Sequence, residues 1–255
     1  MSLSSRQAAP MVVLHGGPSV PSNYLYPLAN HVPYRSILFY DQLGCGKSDE
    51  PTDLKMYSIE QAIDDLELVL KKLSIRRFHI YGQSYGGILA FEYLKRCAER
   101  GPTNSNDEEG CLSVILSSSP TNVRQVEEEA QRLVEQLSTN NSPELFRETH
   151  QCGTVEMPQP LADAYVAAGT VWRGTTAIQN YSAQAPSEDA TTMPSVLVLR
   201  GEHDFVTEAC CKDWKERFNS RSMRERTLKD CSQHGLLENG PIYGEMVDSF
   251  FGESD

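Results

Sequence analysis

Ser84 is the residue on which chemistry can be built, because it stands between two glycines in Phe78-His79-Ile80-Tyr81-Gly82-Gln83-Ser84-Tyr85-Gly86-Gly87. Glycines two places to either side of a serine suit a sharp strand-to-helix turn, which lifts the hydroxyl clear of a sheet edge as a nucleophile. Side chains at Gly82 and Gly86 would collide in such a turn, and Gly87 lets the following helix lie close to the strand. The G-x-S-x-G spacing alone is weak, but its context is right. An apolar strand leads into the serine, and Ile88, Leu89, Phe91, Tyr93 and Leu94 follow at helical spacing.

A nucleophilic serine needs a base to take its proton and a carboxylate to hold that base in the right tautomer. In the chain order serine, acid, histidine, the candidates are Ser84, Asp204 and His234. Asp204 ends the turn Gly201-Glu202-His203-Asp204, with Glu202 and the segment after Ser119 as other sources of the acid. His234 lies beside Gly235 in a loop after the last strand-like run, a place from which an imidazole can reach the serine. A lone loop histidine is ordinarily exposed and inert. The remaining histidines are worse placed: His79 inside a strand, His15 in a glycine turn, His31 upstream, His150 in a helical insertion and His203 beside the acid. His15-Gly16-Gly17-Pro18 ends another apolar strand, where backbone N–H groups can face a substrate oxygen. The N–H of Tyr85 would complete that oxyanion hole; the plainer reading of the motif is a tight turn. Asp41-Gln42-Leu43-Gly44-Cys45-Gly46-Lys47-Ser48 looks like a phosphate loop, but Asp41 stands where a glycine is required, which excludes nucleotide binding.

These residues have to be held by a sheet. Met11-Val12-Val13-Leu14, Ser36-Ile37-Leu38-Phe39-Tyr40, the run before Ser84, residues 112–116, Ser195-Val196-Leu197-Val198-Leu199 and residues 223–228 read as strands. Residues 58–73 read as a helix with a capping box, Ser58 with Gln61, and an apolar stripe through Ile59, Ala62, Ile63, Leu66, Val69, Leu70 and Leu73. Helices are also expected at 208–218 and 241–251. The alternation predicts an α/β fold, a mostly parallel sheet with crossover helices. Residues 121–192 lack strand-like runs and read as helices, including one from Pro160 towards Trp172. The expected organisation is a core of 1–120 and 193–255 with a helical cap at 121–192, which can shape a pocket and exclude water. Residues 101–110 read as a polar loop.

With 255 residues, 39% of them hydrophobic, the chain can bury one large core. Its formal charge of -12 argues against a nucleic-acid partner. Met1-Ser2-Leu3-Ser4-Ser5-Arg6 lacks the apolar run of a signal peptide, and no run is long enough to span a membrane. The expectation is a cytoplasmic protein acting on a small molecule. Seven cysteines without C-x-x-C pairs suggest neither a disulfide framework nor zinc, and neither a cofactor nor a metal is expected.

Taken together, the His15–Pro18 and Asp41–Ser48 motifs, the serine motif, Gly201–Asp204 and His234-Gly235 closely resemble the proline iminopeptidase family of α/β-hydrolases. The resemblance spans nearly the whole chain, and its first two motifs are more specific than the serine motif. It implies a Ser-His-Asp hydrolase that removes an N-terminal residue from short peptides or cleaves related amino-acid amides. By position, Ser84 is the nucleophile, Asp204 and His234 complete the triad, and Gly17 and Tyr85 supply the oxyanion N–H groups. Phe205 and Trp172 are expected in the substrate pocket. Departures from the family pattern shape the expectations. An antiparallel hairpin usually precedes the first glycine-turn strand and is missing here, so residues 36–40 should form a sheet edge that a homodimer or the N-terminal residues would cover. Ser19 replaces a usual glycine, and the cap looks short. Phe205 stands where the family often has an amine-binding Glu; Glu144, Glu148, Glu156 and Asp163 could replace it, though a solvated face is their plainer reading. A neutral, hydrophobic small amide or ester lacking a free α-amine is therefore the expected substrate. The alternatives are elimination or cyclisation with His234 as base, and an idle binding scaffold; the intact triad argues against the second.

Overall fold

Runs of apolar residues that alternate between two faces build a sheet that must be covered on both sides. The computed structural model describes residues 8–101, 109–137 and 142–255. Six strands form one parallel sheet: β1 (Met11–Leu14), β2 (Ile37–Phe39), β3 (Arg77–Gln83), β4 (Gly110–Ser117), β5 (Ser195–Gly201) and β6 (Met223–Leu228), in the order β2-β1-β3-β4-β5-β6. The principal helices are α1 (Ile59–Lys72), α2 (Tyr85–Arg100), α3 (Val123–Gln136), α4 (Gln159–Val166) and α5 (Gly240–Gly252). Val12, Leu14, Ile80, Val114, Leu116 and Val198 face Leu66 and Leu70 of α1 and Ile88 and Phe91 of α2. Their sequence neighbours Met11, Val13, Tyr81, Ile115 and Leu197 face Val247, Phe250 and Phe251 of α5. Ile80 is wholly buried at the centre, where truncation to Ala costs about 2–5 kcal/mol.

The strand order places the site. From β1 the chain moves outward to β2, then returns past β1 to β3 and continues the other way, so β1 and β3 flank the point where the winding reverses. Open parallel sheets bind ligands beyond the carboxyl ends of strands at that point. The glycine turn leaves β1 there, and Ser84 leaves β3 beside it.

α1 starts as its sequence requires: Ser58 Oγ accepts the N–H of Gln61 at 3.0 Å. The reciprocal half of the capping box does not form, because the Gln61 side chain reaches forward to donate to Asp65 Oδ1 at 3.1 Å. Between β4 and β5 the described residues are helical: α3, a turn at Pro143–Phe146, a five-residue π turn at Arg147–Gln151, α4 and a turn at Gly174–Ala177. Their extended backbone among described residues amounts to two isolated bridges, Asn122 with Ser182 and Met193 with Ser220.

Two helix expectations are corrected. The helix from Pro160 stops at Val166 instead of continuing towards Trp172. Beyond it the backbone is claimed by other segments: the Ala167 carbonyl accepts from the Gly46 N–H at 3.1 Å, and the Gly169 N–H donates to Ser19 O at 2.9 Å. Residues 208–218 form two short turns, Glu208–Cys211 and Trp214–Arg217. Among the described residues β2 lies at the sheet edge, as expected where the family's preceding hairpin is missing. Met1–Arg6 and most of the 101–110 loop lie outside the described residues, so cover by the N-terminal residues does too. No helix among the described residues is long and apolar enough to cross a membrane.

Candidate active site

At the end of β3, Ser84 adopts φ 53° and ψ −118°, a conformation rare outside glycine and held here by its surroundings. The Ser84 N–H donates to Ser117 O at 2.8 Å, which pins the turn to β4. The flanking glycines are required by contact: a Cβ at Gly82 would strike the Gly86 carbonyl, and one at Gly86 the Leu14 carbonyl. α2 begins at Tyr85, so its first N–H has no acceptor within the helix.

The glycine turn is braced from three sides. The Gly16 N–H donates to Tyr24 Oη at 2.8 Å, and that hydroxyl donates to Gln83 Oε1 at 2.7 Å, joining the turn to the residue before Ser84. His15 Nε2 accepts the Gln42 N–H at 2.9 Å, which puts the ring proton on Nδ1, facing Gly16 O at 3.0 Å. Burial lowers the His15 pKa to about 4, so it stays neutral and structural. Asp41 explains why the next motif is no phosphate loop: Oδ1 accepts the Ser22 N–H at 3.0 Å and hydroxyl at 2.8 Å, and Oδ2 accepts the Lys47 N–H at 3.1 Å. The positive φ of Gly17, 119°, leaves no room for a Cβ, which would lie 2.5 Å from the Ser19 nitrogen.

Loops after β5 and β6 bring in Asp204 and His234. The His203 N–H donates to Cys231 O at 2.8 Å, tying the two loops together. The π turn holds both from above: the Phe205 and Gln233 N–H groups each donate to His150 O at 3.3 Å, and the His234 N–H donates to Gln151 O at 3.0 Å. Asp204 is 3% exposed; its Oδ1 accepts the Val206 N–H at 2.8 Å while Oδ2 has no hydrogen-bond partner. Burial raises its pKa to about 7, against the lowering effects of the nearby Ser118 hydroxyl, the Val206 N–H and Arg200. His234 is also buried, edge-on to Tyr24 at 5.4 Å, and its Nε2 is likewise without a partner. Burial lowers its pKa to about 4, so the imidazole is neutral.

Ser84, Tyr85, Gly17, His234 and Phe205 line one cavity of about 250 Å³. Asp204 is buried and does not line it, though its chain neighbour Phe205 does. Trp172 does not join them: it lines a smaller neighbouring cavity, where its ring stacks on Tyr57 at 5.8 Å and meets Tyr85 edge-on at 5.6 Å. Its carbonyl accepts the Ser19 hydroxyl at 2.6 Å, which holds it there. Glu144, Glu148, Glu156 and Asp163 are exposed and none lines the Ser84 cavity. Glu148 pairs with Arg147 at 2.8 Å, and Asp163 accepts from Gln159 at 2.6 Å. Glu202, the alternative acid, is exposed and accepts the Asp230 N–H. With His203 and Asp230 it forms an exposed trio with ligand atoms within 4.8 Å of one another, away from the cavity-lining residues. Gln83 of the serine motif also lines the cavity, as do Tyr24, Gln151, Gln233 and Arg173, which carry no motif of their own.

A parallel sheet with a serine on a strained strand-to-helix turn, beside a glycine turn and a buried histidine, defines an α/β-type hydrolase. Residues 9–152 match the alpha/beta hydrolase fold family, and the chain belongs to it, on its proline iminopeptidase-like branch. A proline iminopeptidase of Saccharolobus solfataricus is 31% identical over 278 residues, covering 94% of this chain and 84% of that protein. One from Lactobacillus acidophilus is 33% identical over 144 residues, covering 55% of this chain and 46% of that protein, about half its length. The crystal structure of proline iminopeptidase from Mycobacterium smegmatis superposes with a TM-score of 0.82 at 25% identity, over 98% of this chain and 91% of that one.

Proposed function

We propose that the chain is a serine hydrolase for a small amide or ester with an apolar group and no free α-amine. In this reading His234 Nε2 takes the Ser84 proton as Oγ attacks the scissile carbonyl, and the oxygen of the tetrahedral intermediate faces the N–H groups of Gly17 and Tyr85. Collapse passes the proton to the leaving group, and water repeats the sequence to free the acid. Asp204 orients the imidazole and stabilises the imidazolium. Helices 121–192 serve as a cap that keeps water out of the site.

The observation that carries the substrate class is the cavity wall, which has Phe205 but no Asp or Glu among its described residues. A buried ammonium without a carboxylate or several acceptors loses several kcal/mol of hydration. The test compares an aminoacyl ester with its N-acetylated analogue by kcat/KM at neutral pH. The acetylated member is expected to be the better substrate. A free-amine substrate favoured by roughly a hundredfold, worth about 2.7 kcal/mol, would overturn this reading and restore an aminopeptidase.

A further inference from the structure

Arg173 is the one charged side chain among the described residues lining the Ser84 cavity. It sits on a strap, residues 167–174, that is bound down onto the glycine turn. On one side of it the Trp172 carbonyl accepts the Ser19 hydroxyl at 2.6 Å; on the other the Gly174 N–H donates to Pro18 O at 3.2 Å. Further back, the Gly169 N–H donates to Ser19 O at 2.9 Å, and the exposed Glu50 carboxylate accepts the N–H groups of Thr170 and Val171. Both chain neighbours of Arg173 are therefore fastened to the turn that carries Gly17. The backbone position of the guanidinium is set relative to the acyl site rather than left to a loose surface loop.

Arg173 is exposed, and among the described residues no acid pairs with it. In a chain of net charge -12, a cavity wall with one arginine and no carboxylate favours an anion inside. The guanidinium fork matches a carboxylate in a bidentate arrangement. Size agrees: a cavity of about 150 Å³ holds benzene, so about 250 Å³ holds a ring-sized apolar group and a short polar end.

We propose that Arg173 binds a carboxylate that the substrate carries at the far end of an apolar group, on the acyl or the leaving-group side of the carbonyl that Ser84 attacks. The assignment deepens the hydrolase reading and rests on it. Two matched pairs test it, one with the anion on the acyl side (monophenyl glutarate and methyl phenyl glutarate) and one with it on the leaving group (4-acetoxybenzoate and its methyl ester). In at least one pair the anionic member should have the higher kcat/KM by about tenfold or more. Arg173→Gln should collapse that ratio to the one seen for uncatalysed hydrolysis, and Arg173→Lys should keep part of it. No preference in either pair, or a preference that the Gln variant retains, overturns the assignment. The Lys variant decides if the Gln variant does not fold, since an unchanged ratio there removes any role for the fork. Failure of the hydrolase reading shows separately, as absent turnover of all four esters. Calorimetric binding of 3-phenylpropanoate against 3-phenylpropanamide to Ser84→Ala, with and without Arg173→Gln, then decides: a carboxylate preference lost with the Gln change supports Arg173, and any other pattern rejects it.

Discussion

Replacing Asp204 by Asn separates two opposing pH dependences that cancel in the native protein. Burial raises Asp204 from 3.8 to about 7 and lowers His234 from 6.5 to about 4. Across the window from about pH 4 to 6.5, the folded pair thus holds one proton. The unfolded chain also holds one there, on the histidine, with the aspartate ionised. Folding exchanges no proton with solvent, and the pair adds no slope to stability. In Asp204→Asn only the histidine titrates. Its folded pKa lies below its unfolded one, so the unfolded state binds more protons and stability rises with pH through the window. Each pH unit adds about 1.4 kcal/mol, or roughly 3 kcal/mol in all. Near pH 8 the variant also escapes the cost of a buried, half-partnered carboxylate and should exceed the native protein by on the order of 4 kcal/mol at most. Activity moves the other way, since losing the acid of a triad costs about ten-thousandfold in kcat. Urea unfolding of both proteins from pH 4 to 8, read as the difference between the two profiles, cancels every other titrating group. A flat difference, or a variant less stable at pH 8, would refute the placement of the buried acid, and a variant whose own stability does not rise with pH would refute that of the buried neutral base; unchanged kcat would refute the role of the acid.

Ser84→Ala and His234→Ala should each lower kcat by about a millionfold, and a fluorophosphonate probe should label the native protein but not the Ser84 variant; a fully active Ser84→Ala leaves only chemistry in which the serine is dispensable. Tyr24→Phe removes the hydroxyl between the Gly16 N–H and Gln83 Oε1. Leaving those groups unpaired should cost about 1–3 kcal/mol in unfolding free energy and lower kcat more than it raises KM, and a variant of native stability would show that water replaces the hydroxyl. β2 has β1 as its one sheet neighbour, so a second copy is expected to cover its free edge; a sedimenting monomer with fast amide exchange through Ile37–Phe39 would argue against that.

What could be read from the sequence was what local spacing dictates. Short runs between turn residues, most of them continuously apolar, place all six strands, and the Ser58 cap fixes the start of α1. The Gly82 and Gly86 spacing marks the turn at Ser84, because both positions meet backbone and admit no side chain. The residues missed owe their place to contacts between distant segments. Tyr24 carries no motif and acquires its role from Gly16 and Gln83, fifty-nine residues apart from it in the second case. Trp172 was misplaced for a related reason: apolar spacing extends the α4 helix, but the glycine turn and the 41–50 loop take the backbone bonds that helix would have used. Arg173 moves with it, and its position is invisible until the strap is seen bonded to Pro18 and Ser19.

The two halves of the proposed site are each fastened to the helical insertion by hydrogen bonds. The glycine turn is tied to the strap through Ser19, Pro18 and Trp172, while the loops carrying Asp204 and His234 hang from the carbonyls of His150 and Gln151. Such bonds contribute about 0.5–1.5 kcal/mol each, so either set amounts to a few kcal/mol of positional preference. That is the scale on which a displaced base or oxyanion donor changes rate a hundredfold. Ser19 belongs in this account: at φ 68° it occupies backbone that favours glycine, and its hydroxyl compensates by donating to the Trp172 carbonyl. A glycine there would relieve the backbone and lose the tie. The insertion therefore bears on the geometry of the site as well as its walls, alongside Tyr24, which joins the Gly16 N–H to the edge of the His234 ring.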